Sequence, residues 1–262
     1  MNSLQRLPRK LKLVTFDVTG TLLTFKRPVG EQYAEAGSKF NVNLESDLLT
    51  HSFSKHWKQM NKDHPNYGFN SGLGWESWWH QIVHQTFIDA APSMKLDKEK
   101  LANISHYLTE IYKESDCWEL CDGAMDILEG LRQNHTAIGV ISNFDPRLEQ
   151  ILINMKIRGY FKFIIASYSV GIEKPDSRIF HLAVQLNEDK SLQGCDILHV
   201  GNSHTLDIQA ALKAGWNACL IELNEDAEDG KHLHDHLFKH SDHLSLLTVK
   251  DLHQLKTFLL SS

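Results

Sequence analysis

Short apolar segments alternate with amphipathic ones along most of the chain. Five segments are apolar on both faces and rich in Val, Ile and Phe, as strands buried in a parallel sheet are. They occupy residues 12–18, 136–142, 161–167, 196–200 and 217–223. The segments between the last four, such as DPRLEQILINM and TLDIQAALKAG, have helical periodicity. The pattern predicts an α/β fold with a doubly wound, Rossmann-like parallel sheet.

One long interval, residues 28–116, contains no convincing strand and only amphipathic helices. Its clearest helix is WESWWHQIVHQTF, which places apolar residues at i, i+3, i+4 and i+7. We expect this stripe to form the core of an inserted helical block: Trp75, Trp78, Trp79, Ile82, Val83 and Phe87. The polar loop 61–74, NKDHPNYGFNSGLG, either faces the substrate or lies in solvent.

Length and charge narrow the class of protein. The chain has 262 residues, 42% of them hydrophobic and 23% charged, which suits one large core plus an insertion of about 80–100 residues. A formal net charge of -6 argues against a nucleic-acid partner. The sequence lacks the apolar run of about 18 residues that a membrane span needs.

The termini and cysteines add little chemistry. The basic start, with Arg6, Arg9 and Lys10, has only a faint likeness to a transit peptide, so we expect a cytoplasmic protein, with the nucleus as an alternative and mitochondrial import disfavoured. Four cysteines without a C-x-x-C pair indicate reduced thiols. A histidine-rich segment near the C-terminus is interpreted as a solvated surface segment and not as a metal site; its histidines are His232, His234, His236, His240 and His243.

Polar residues follow four of the predicted strands, at the end where open parallel sheets bind ligands. Asp17 ends the first strand, and Ser142 and Asn143 end the second. Lys174 follows the third, and Asn202 and Asp207 follow the fourth. One such residue alone is often only a helix cap, but four motifs in order predict a single site.

With these motifs the sequence resembles the haloacid dehalogenase superfamily of aspartate-nucleophile hydrolases. The segments FDVTGTLL, HPNYG, ISNFDPRLE and EKPDSRIF are most similar to its rhythmically expressed gene 2-like subgroup, which includes haloacid dehalogenase-like hydrolase domain-containing protein 3. The resemblance implies a core domain of residues 1–25 and 117–262. It also implies an all-helical cap of the first type (C1) at residues 26–116.

The resemblance also implies roles for these residues. Asp17 would be the nucleophile that forms a covalent intermediate. Ser142 would bind the transferring group, and Lys174 would neutralise its charge. Asn143 and Thr21 would contact the substrate.

A Mg²⁺ ion would be held by oxygen atoms, as a hard cation prefers. In the superfamily pattern, the ligands would come from Asp17, the backbone carbonyl of Thr19, Asn202 and Asp207.

Two departures from that pattern bear on activity. Thr19 stands where superfamily phosphatases have an acid/base Asp, a group worth about 10²–10⁴ in rate. Asn202 replaces a second carboxylate, which weakens the expected Mg²⁺ site. The formal charges of the site then sum to -1, from Asp17, Asp207 and Lys174. This charge is like that of the superfamily's metal-free dehalogenases. However, residues 28–131 contain no arginine to take a halide.

Three functions therefore stay open. The favoured one is a slow Mg²⁺-dependent phosphatase acting on a small phosphorylated metabolite. The second is a catalytically impaired protein that binds a ligand in the cleft or a protein partner through the cap. The third is metal-free hydrolysis of the dehalogenase type.

Several neighbouring residues have a structural and a functional interpretation. Asn143 either contacts substrate or caps the following helix, whereas Asp145 and Asp176 are interpreted as helix caps. Arg147 is a candidate phosphate clamp, but we favour a solvated arginine in the first turn of a helix. His204 is a candidate general base, with a non-catalytic role favoured.

Overall fold

The computed structural model describes residues 11–189, 191–222, 244 and 246–260. Within them, six strands form one parallel sheet in the order β5-β4-β1-β6-β7-β8. The strands are β1 (Leu13–Phe16), β4 (Ala137–Ser142), β5 (Phe163–Ala166), β6 (Ile197–Gly201), β7 (Asn217–Ile221) and β8 (Leu246–Val249). The predicted α/β fold is confirmed, and β8 is a strand that the apolar pattern did not reveal. The basic N-terminus and the histidine-rich segment lie outside the described residues.

Helices cover both faces of this sheet. On the core side of the chain they are α5 (Ala124–Gln133), α6 (Leu148–Asn154), α7 (Ser167–Val170), α8 (Arg178–Asn187), α9 (Ala210–Lys213) and α10 (Leu252–Leu260). A π-helical stretch, His204–Gln209, leads directly into α9. Two apolar clusters fill the sheet's faces, one around Phe16 and Val140 and the other around Phe180 and Trp216. The strands are apolar on both sides because both sides are covered.

A second unit of four helices interrupts the chain between two short antiparallel strands, β2 (Leu23–Phe25) and β3 (Trp118–Leu120). We call it the helical unit; its helices are α1 (Val29–Lys39), α2 (Ser46–Asp63), α3 (Trp75–Ala90) and α4 (Lys98–Ile111). Pairing of β2 with β3 brings the two crossings between the units side by side. The helical unit has apolar clusters of its own, one of them around Tyr33 and Phe87.

The strand register determines where the site lies. β1 is the central strand, paired in parallel with β4 on one side and β6 on the other. Asp17 directly follows β1, Ser142 ends β4, and the residues after β6 begin at Asn202. Parallel pairing therefore collects these residues at one edge of the sheet.

Candidate active site

The nucleophile candidate, Asp17, is almost completely buried, with 8% of the residue exposed. Its Oδ1 accepts hydrogen bonds from Ser142 Oγ at 2.9 Å and from Lys174 Nζ at 2.7 Å. Its Oδ2 accepts no hydrogen bond from the described residues. Burial raises the pKa of Asp17, and Lys174 opposes this rise. The carboxylate is thus held by one oxygen and leaves the other for reaction.

Lys174 lies between two carboxylates. Its ammonium donates to Asp17 Oδ1 and to Asp207 Oδ1, the latter at 2.5 Å. Only 2% of the residue is exposed. Burial disfavours the ammonium, but the two carboxylates more than compensate and raise the pKa of Lys174 above its ordinary value. Lys174 is therefore a permanent cation at this site.

Asp207 is held more firmly than Asp17. Its Oδ2 accepts from the backbone N–H of Ser203 at 2.9 Å, and its Oδ1 is 3.2 Å from His199 Nε2 as well as bonded to Lys174. Burial opposes ionisation, but Lys174 and then His199 outweigh it and depress the pKa of Asp207 well below its usual range. Asp207 is accordingly a fully bonded anion.

His199 and Thr15 complete the chain of contacts, and the sequence analysis missed both. They face each other across the β1–β6 pair, and Thr15 Oγ1 lies 2.9 Å from His199 Nδ1. Since the Asp207 carboxylate accepts, Nε2 is assigned the proton and Nδ1 accepts from the Thr15 hydroxyl. Burial lowers the pKa of His199, so the ring is neutral. A polar residue inside each of two apolar strands was the signal available in the sequence.

Asn143 does not cap a helix, because its side chain bonds the backbone of Lys174. Its Nδ2 donates to the Lys174 carbonyl at 2.8 Å, and its Oδ1 accepts from the Lys174 N–H at 2.7 Å. The amide therefore fixes the backbone of the lysine that neutralises Asp17. The backbone carbonyl of Asn143 accepts from the Tyr67 hydroxyl at 2.9 Å.

Tyr67 belongs to the polar loop of the helical unit, and the solvent interpretation of that loop is wrong at this point. Asn66 is 1% exposed, and its side chain exchanges hydrogen bonds with Ser167 at the end of β5. Both Asn66 and Tyr67 have positive φ angles, 49° and 53°. Non-glycine residues in this conformation are uncommon, and their contacts with the core hold them there.

The tryptophan stripe divides between two environments. Trp78 is fully buried in the helical unit, as predicted. Trp79 instead donates through Nε1 to Asp145 Oδ2 at 2.7 Å, so it joins α3 to the core. Trp75 lies 5.3 Å from the Arg147 guanidinium.

Arg147 is not a solvated arginine, because only 7% of it is exposed. Its Nε and Nη2 form a bidentate pair with Asp145 at 2.9 and 2.6 Å, and its guanidinium lies over the Trp79 ring. Asp145 also accepts the Arg147 backbone N–H, but α6 begins one residue later. The pair serves the contact with the helical unit, which is why a helix-cap interpretation was incomplete.

The remaining predicted residues differ in their contacts. Thr21 is 1% exposed and its hydroxyl has no hydrogen-bond partner in the described chain, which does not favour direct contact with substrate. The Nδ1 of His204 is also buried without such a partner. Asp176 accepts the backbone N–H of Arg178, the first residue of α8, but the N-cap of that helix is Ser177, so Asp176 lies one residue before the cap position.

The oxygen atoms of the expected Mg²⁺ ligands differ in whether they already accept hydrogen bonds. The free Oδ2 of Asp17 and the Thr19 carbonyl both lack a hydrogen-bond donor in the described chain. The Asn202 amide lies against Gly20, where an added Cβ would be 2.3 Å from Nδ2. Carboxylate, carbonyl and amide oxygens are ligands that suit a hard cation. Both oxygens of Asp207, by contrast, are already bonded. The donor set fits Mg²⁺, but it provides less ligand charge than two free carboxylates would.

Two features are absent from the described residues. No group of three or more His, Cys, Asp or Glu side chains is arranged there to hold a metal ion. No helix there is long and apolar enough to cross a membrane.

Curated relatives cover most of the chain. The rhythmically expressed gene 2 protein of Drosophila melanogaster is 39% identical over 227 residues, which are 84% of this chain and 85% of the relative. Haloacid dehalogenase-like hydrolase domain-containing protein 3 of Bos taurus is 34% identical over 212 residues, 81% of this chain and 82% of the relative. The resemblance to this subgroup is therefore confirmed.

Solved structures share the fold. The HAD-hydrolase YfnB from Bacillus subtilis, bound to magnesium, is 20% identical with a TM-score of 0.63, covering 96% of this chain and 99% of its own. L-2-haloacid dehalogenase from Xanthobacter autotrophicus, with chloropropionic acid covalently bound, is 14% identical with a TM-score of 0.63. The match covers 94% of this chain and 96% of the dehalogenase. The profile of the haloacid dehalogenase-like hydrolases matches residues 11–215. The chain belongs to the haloacid dehalogenase-like hydrolase family.

Proposed function

We propose that the protein is a slow, Mg²⁺-dependent phosphohydrolase that acts on a small phosphorylated metabolite. The observation that carries the proposal is the state of Asp17. One of its carboxylate oxygens is bonded to Ser142 and Lys174, and the other is free. A buried carboxylate oriented in this way is suited to nucleophilic attack.

The reaction takes two steps. Asp17 Oδ2 attacks phosphorus, an aspartyl phosphate forms, and the bond from phosphorus to the ester oxygen breaks with its electron pair leaving on that oxygen. Water then attacks the aspartyl phosphate, releasing inorganic phosphate and restoring the Asp17 carboxylate. Ser142 orients the nucleophile, and the Lys174 ammonium offsets the negative charge of the phosphoryl oxygens. A bound Mg²⁺, held by Asp17, the Thr19 carbonyl and Asn202, would supply further positive charge.

Thr19 makes both steps slow. A threonine hydroxyl neither protonates a leaving oxygen nor activates water at neutral pH. The loss of such help costs about 10²–10⁴ in rate. The same gap lengthens the life of the aspartyl phosphate.

Dehalogenation has less support. The helical unit contains no arginine. Arg147, although it lies beneath that unit, is neutralised by Asp145 at 2.6 Å. Arg147 is therefore not free to take a departing halide.

Hydrolysis of 4-nitrophenyl phosphate, with Mg²⁺ and with a chelator, tests the proposal. We expect slow, Mg²⁺-dependent turnover that Asp17→Asn abolishes and the exposed control Asp47→Asn leaves unchanged. Turnover that survives Asp17→Asn would belong to a contaminant. No turnover above the Asp17→Asn level would indicate a ligand-binding protein, and chelator-insensitive chloride release from 2-chloropropionate would indicate a dehalogenase.

A further inference from the structure

A cavity of about 360 Å³ lies between the helical unit and the sheet edge. It reaches Thr19 and Asn143, which follow the same strands as Asp17 and Ser142. Its walls are largely aromatic and include Tyr33, Trp57, Tyr67, Trp79, Tyr112 and Trp118. Its volume is in the range of small-molecule sites, which are typically about 300–1,000 Å³.

The charges of the wall are uneven. No carboxylate of the described chain lines the cavity. Lys58 is an exposed cation at its rim, whereas Arg147 is already paired with Asp145. The cavity therefore favours a planar, uncharged group, with the negative charge of the ligand located at its phosphate.

The chemistry of the site points to the same ligand from a different observation. With Thr19 in place of an acid, the leaving oxygen departs without a proton. Only oxygens that are stable as anions leave readily in this way, as phenolates do and alkoxides do not. The missing acid and the aromatic cavity thus select the same kind of ester.

We infer that the substrate is a phosphate monoester of a planar aromatic alcohol, whose ring occupies this cavity. The inference rests on the proposed phosphohydrolase activity for its chemical step only. In that step the phosphorus–oxygen bond breaks and the ring oxygen departs as a phenolate. The filling of the cavity by the ring is a separate binding event.

Binding is measured with the Asp17→Asn protein, which cannot turn over. The probes are 4-nitrophenyl phosphate, glycerol 2-phosphate, inorganic phosphate and 4-nitrophenol, followed by tryptophan fluorescence and calorimetry. We expect 4-nitrophenyl phosphate to bind about tenfold or more tightly than glycerol 2-phosphate, because of the aromatic area that it buries. Equal affinities for the two esters would overturn the inference.

Two variants locate the bound ring. Ser54 is an exposed residue of α2 that lines the cavity, so Ser54→Trp should fill it and abolish the preference for the aryl ester. Lys62→Trp places the same bulk on an exposed part of α2 outside the cavity and should leave the preference intact. A preference that survives Ser54→Trp would overturn the inference.

The two proposals fail in different ways. If 4-nitrophenol binds and Ser54→Trp prevents it, but the wild-type protein hydrolyses none of the esters, the aromatic subsite stands and the phosphohydrolase proposal falls. If the wild-type protein hydrolyses glycerol 2-phosphate as fast as 4-nitrophenyl phosphate, the phosphohydrolase stands and the aromatic substrate falls.

Discussion

The two sides of the site, one after β1 and the other after β6, treat their carboxylates differently. On the β6 side, Asp207 is bonded to Lys174, His199 and the Ser203 backbone. On the β1 side, Asp17 has one oxygen bonded and the other free. The difference indicates that the β6 side is scaffold, and in the proposed function the reaction occurs on the β1 side.

The departures in sequence fall next to the reactive side. Asn202 lies against Gly20, the residue after Thr19, whereas the contacts of Asp207 are complete. Both departures therefore lie beside Asp17, and neither removes a hydrogen bond that holds Asp17 or Asp207.

The largest effect is expected when the shared cation is removed. Lys174→Met would leave two buried carboxylates facing each other and lower the free energy of unfolding by about 3–5 kcal/mol. The surface pair of Lys12 and Asp196 gives a control, since solvent screens this pair and Lys12→Met should change the stability far less. Urea unfolding measures both changes.

Second substitutions then compare the two carboxylates directly. Asp17→Asn in the Lys174→Met background leaves Asp207 with its His199 and Ser203 donors, whereas Asp207→Asn leaves Asp17 with Ser142 alone. We expect the first double variant to be more stable by about 1–3 kcal/mol. Equal stabilities would contradict the distinction between scaffold and reactive side.

Replacing each carboxylate singly should change the free energy of unfolding differently at the two positions. At pH 7 Asp207→Asn should lower the free energy of unfolding by about 3 kcal/mol, because Asp207 is bonded as an anion. Asp17→Asn should not lower it, since burial raises the pKa of Asp17 and makes its charge unfavourable in the folded state. Thermal unfolding of the two variants, with Asp47→Asn as an exposed control, measures this contrast.

The pH dependence gives a second test of the same contrast. A depressed pKa means that the stability from Asp207 is present above the ordinary value of about 3.9 and is lost as pH falls through the folded value. A raised pKa means that the penalty from Asp17 grows as pH rises above about 3.9. The free energy of unfolding of Asp17→Asn should therefore match that of the wild type near pH 4. At pH 7 it should equal or exceed the wild-type value. A stability loss at pH 7 would reverse the assignment.

The same contrast explains what could be predicted from the sequence. Asp17, Ser142, Lys174 and Asp207 were predictable because the carboxyl ends of parallel strands meet at one edge. His199 was missed because its role depends on the register that places it opposite Thr15. The periodicity of the chain indicates strands and their buried faces, but not which residues lie opposite one another.

Contacts between the two units were harder to predict. Trp79 and Trp78 are adjacent and chemically identical, yet one bonds Asp145 and the other fills the core of the helical unit. Helical spacing puts both on an apolar stripe and cannot distinguish a core position from an interface. Arg147 was misassigned for the same reason, since its burial comes from a unit distant in sequence.

Placing an acid at position 19 should speed the proposed hydrolysis. If Thr19 is the reason for slow turnover, Thr19→Asp should raise the hydrolysis of an alkyl phosphate by about 10²-fold or more. The gain for 4-nitrophenyl phosphate should be much smaller, because its leaving group needs no proton. Thr19→Asn, which has similar size and no acid, is the control. Equal gains for both esters, or a gain in Thr19→Asn, would remove general acid help as the explanation.

The smallest effect is expected where the helical unit meets Lys174. Tyr67 donates to the carbonyl of Asn143, whose side chain fixes the Lys174 backbone. Tyr67→Phe should cost about 1 kcal/mol of stability, the net value of one hydrogen bond. If the bond also positions Lys174, kcat should fall while the KM for 4-nitrophenyl phosphate changes little. The control is Tyr107→Phe, on α4 outside the cavity. A change in KM alone would mean that Tyr67 only contacts the ligand, and that the position of the helical unit is not transmitted to the lysine.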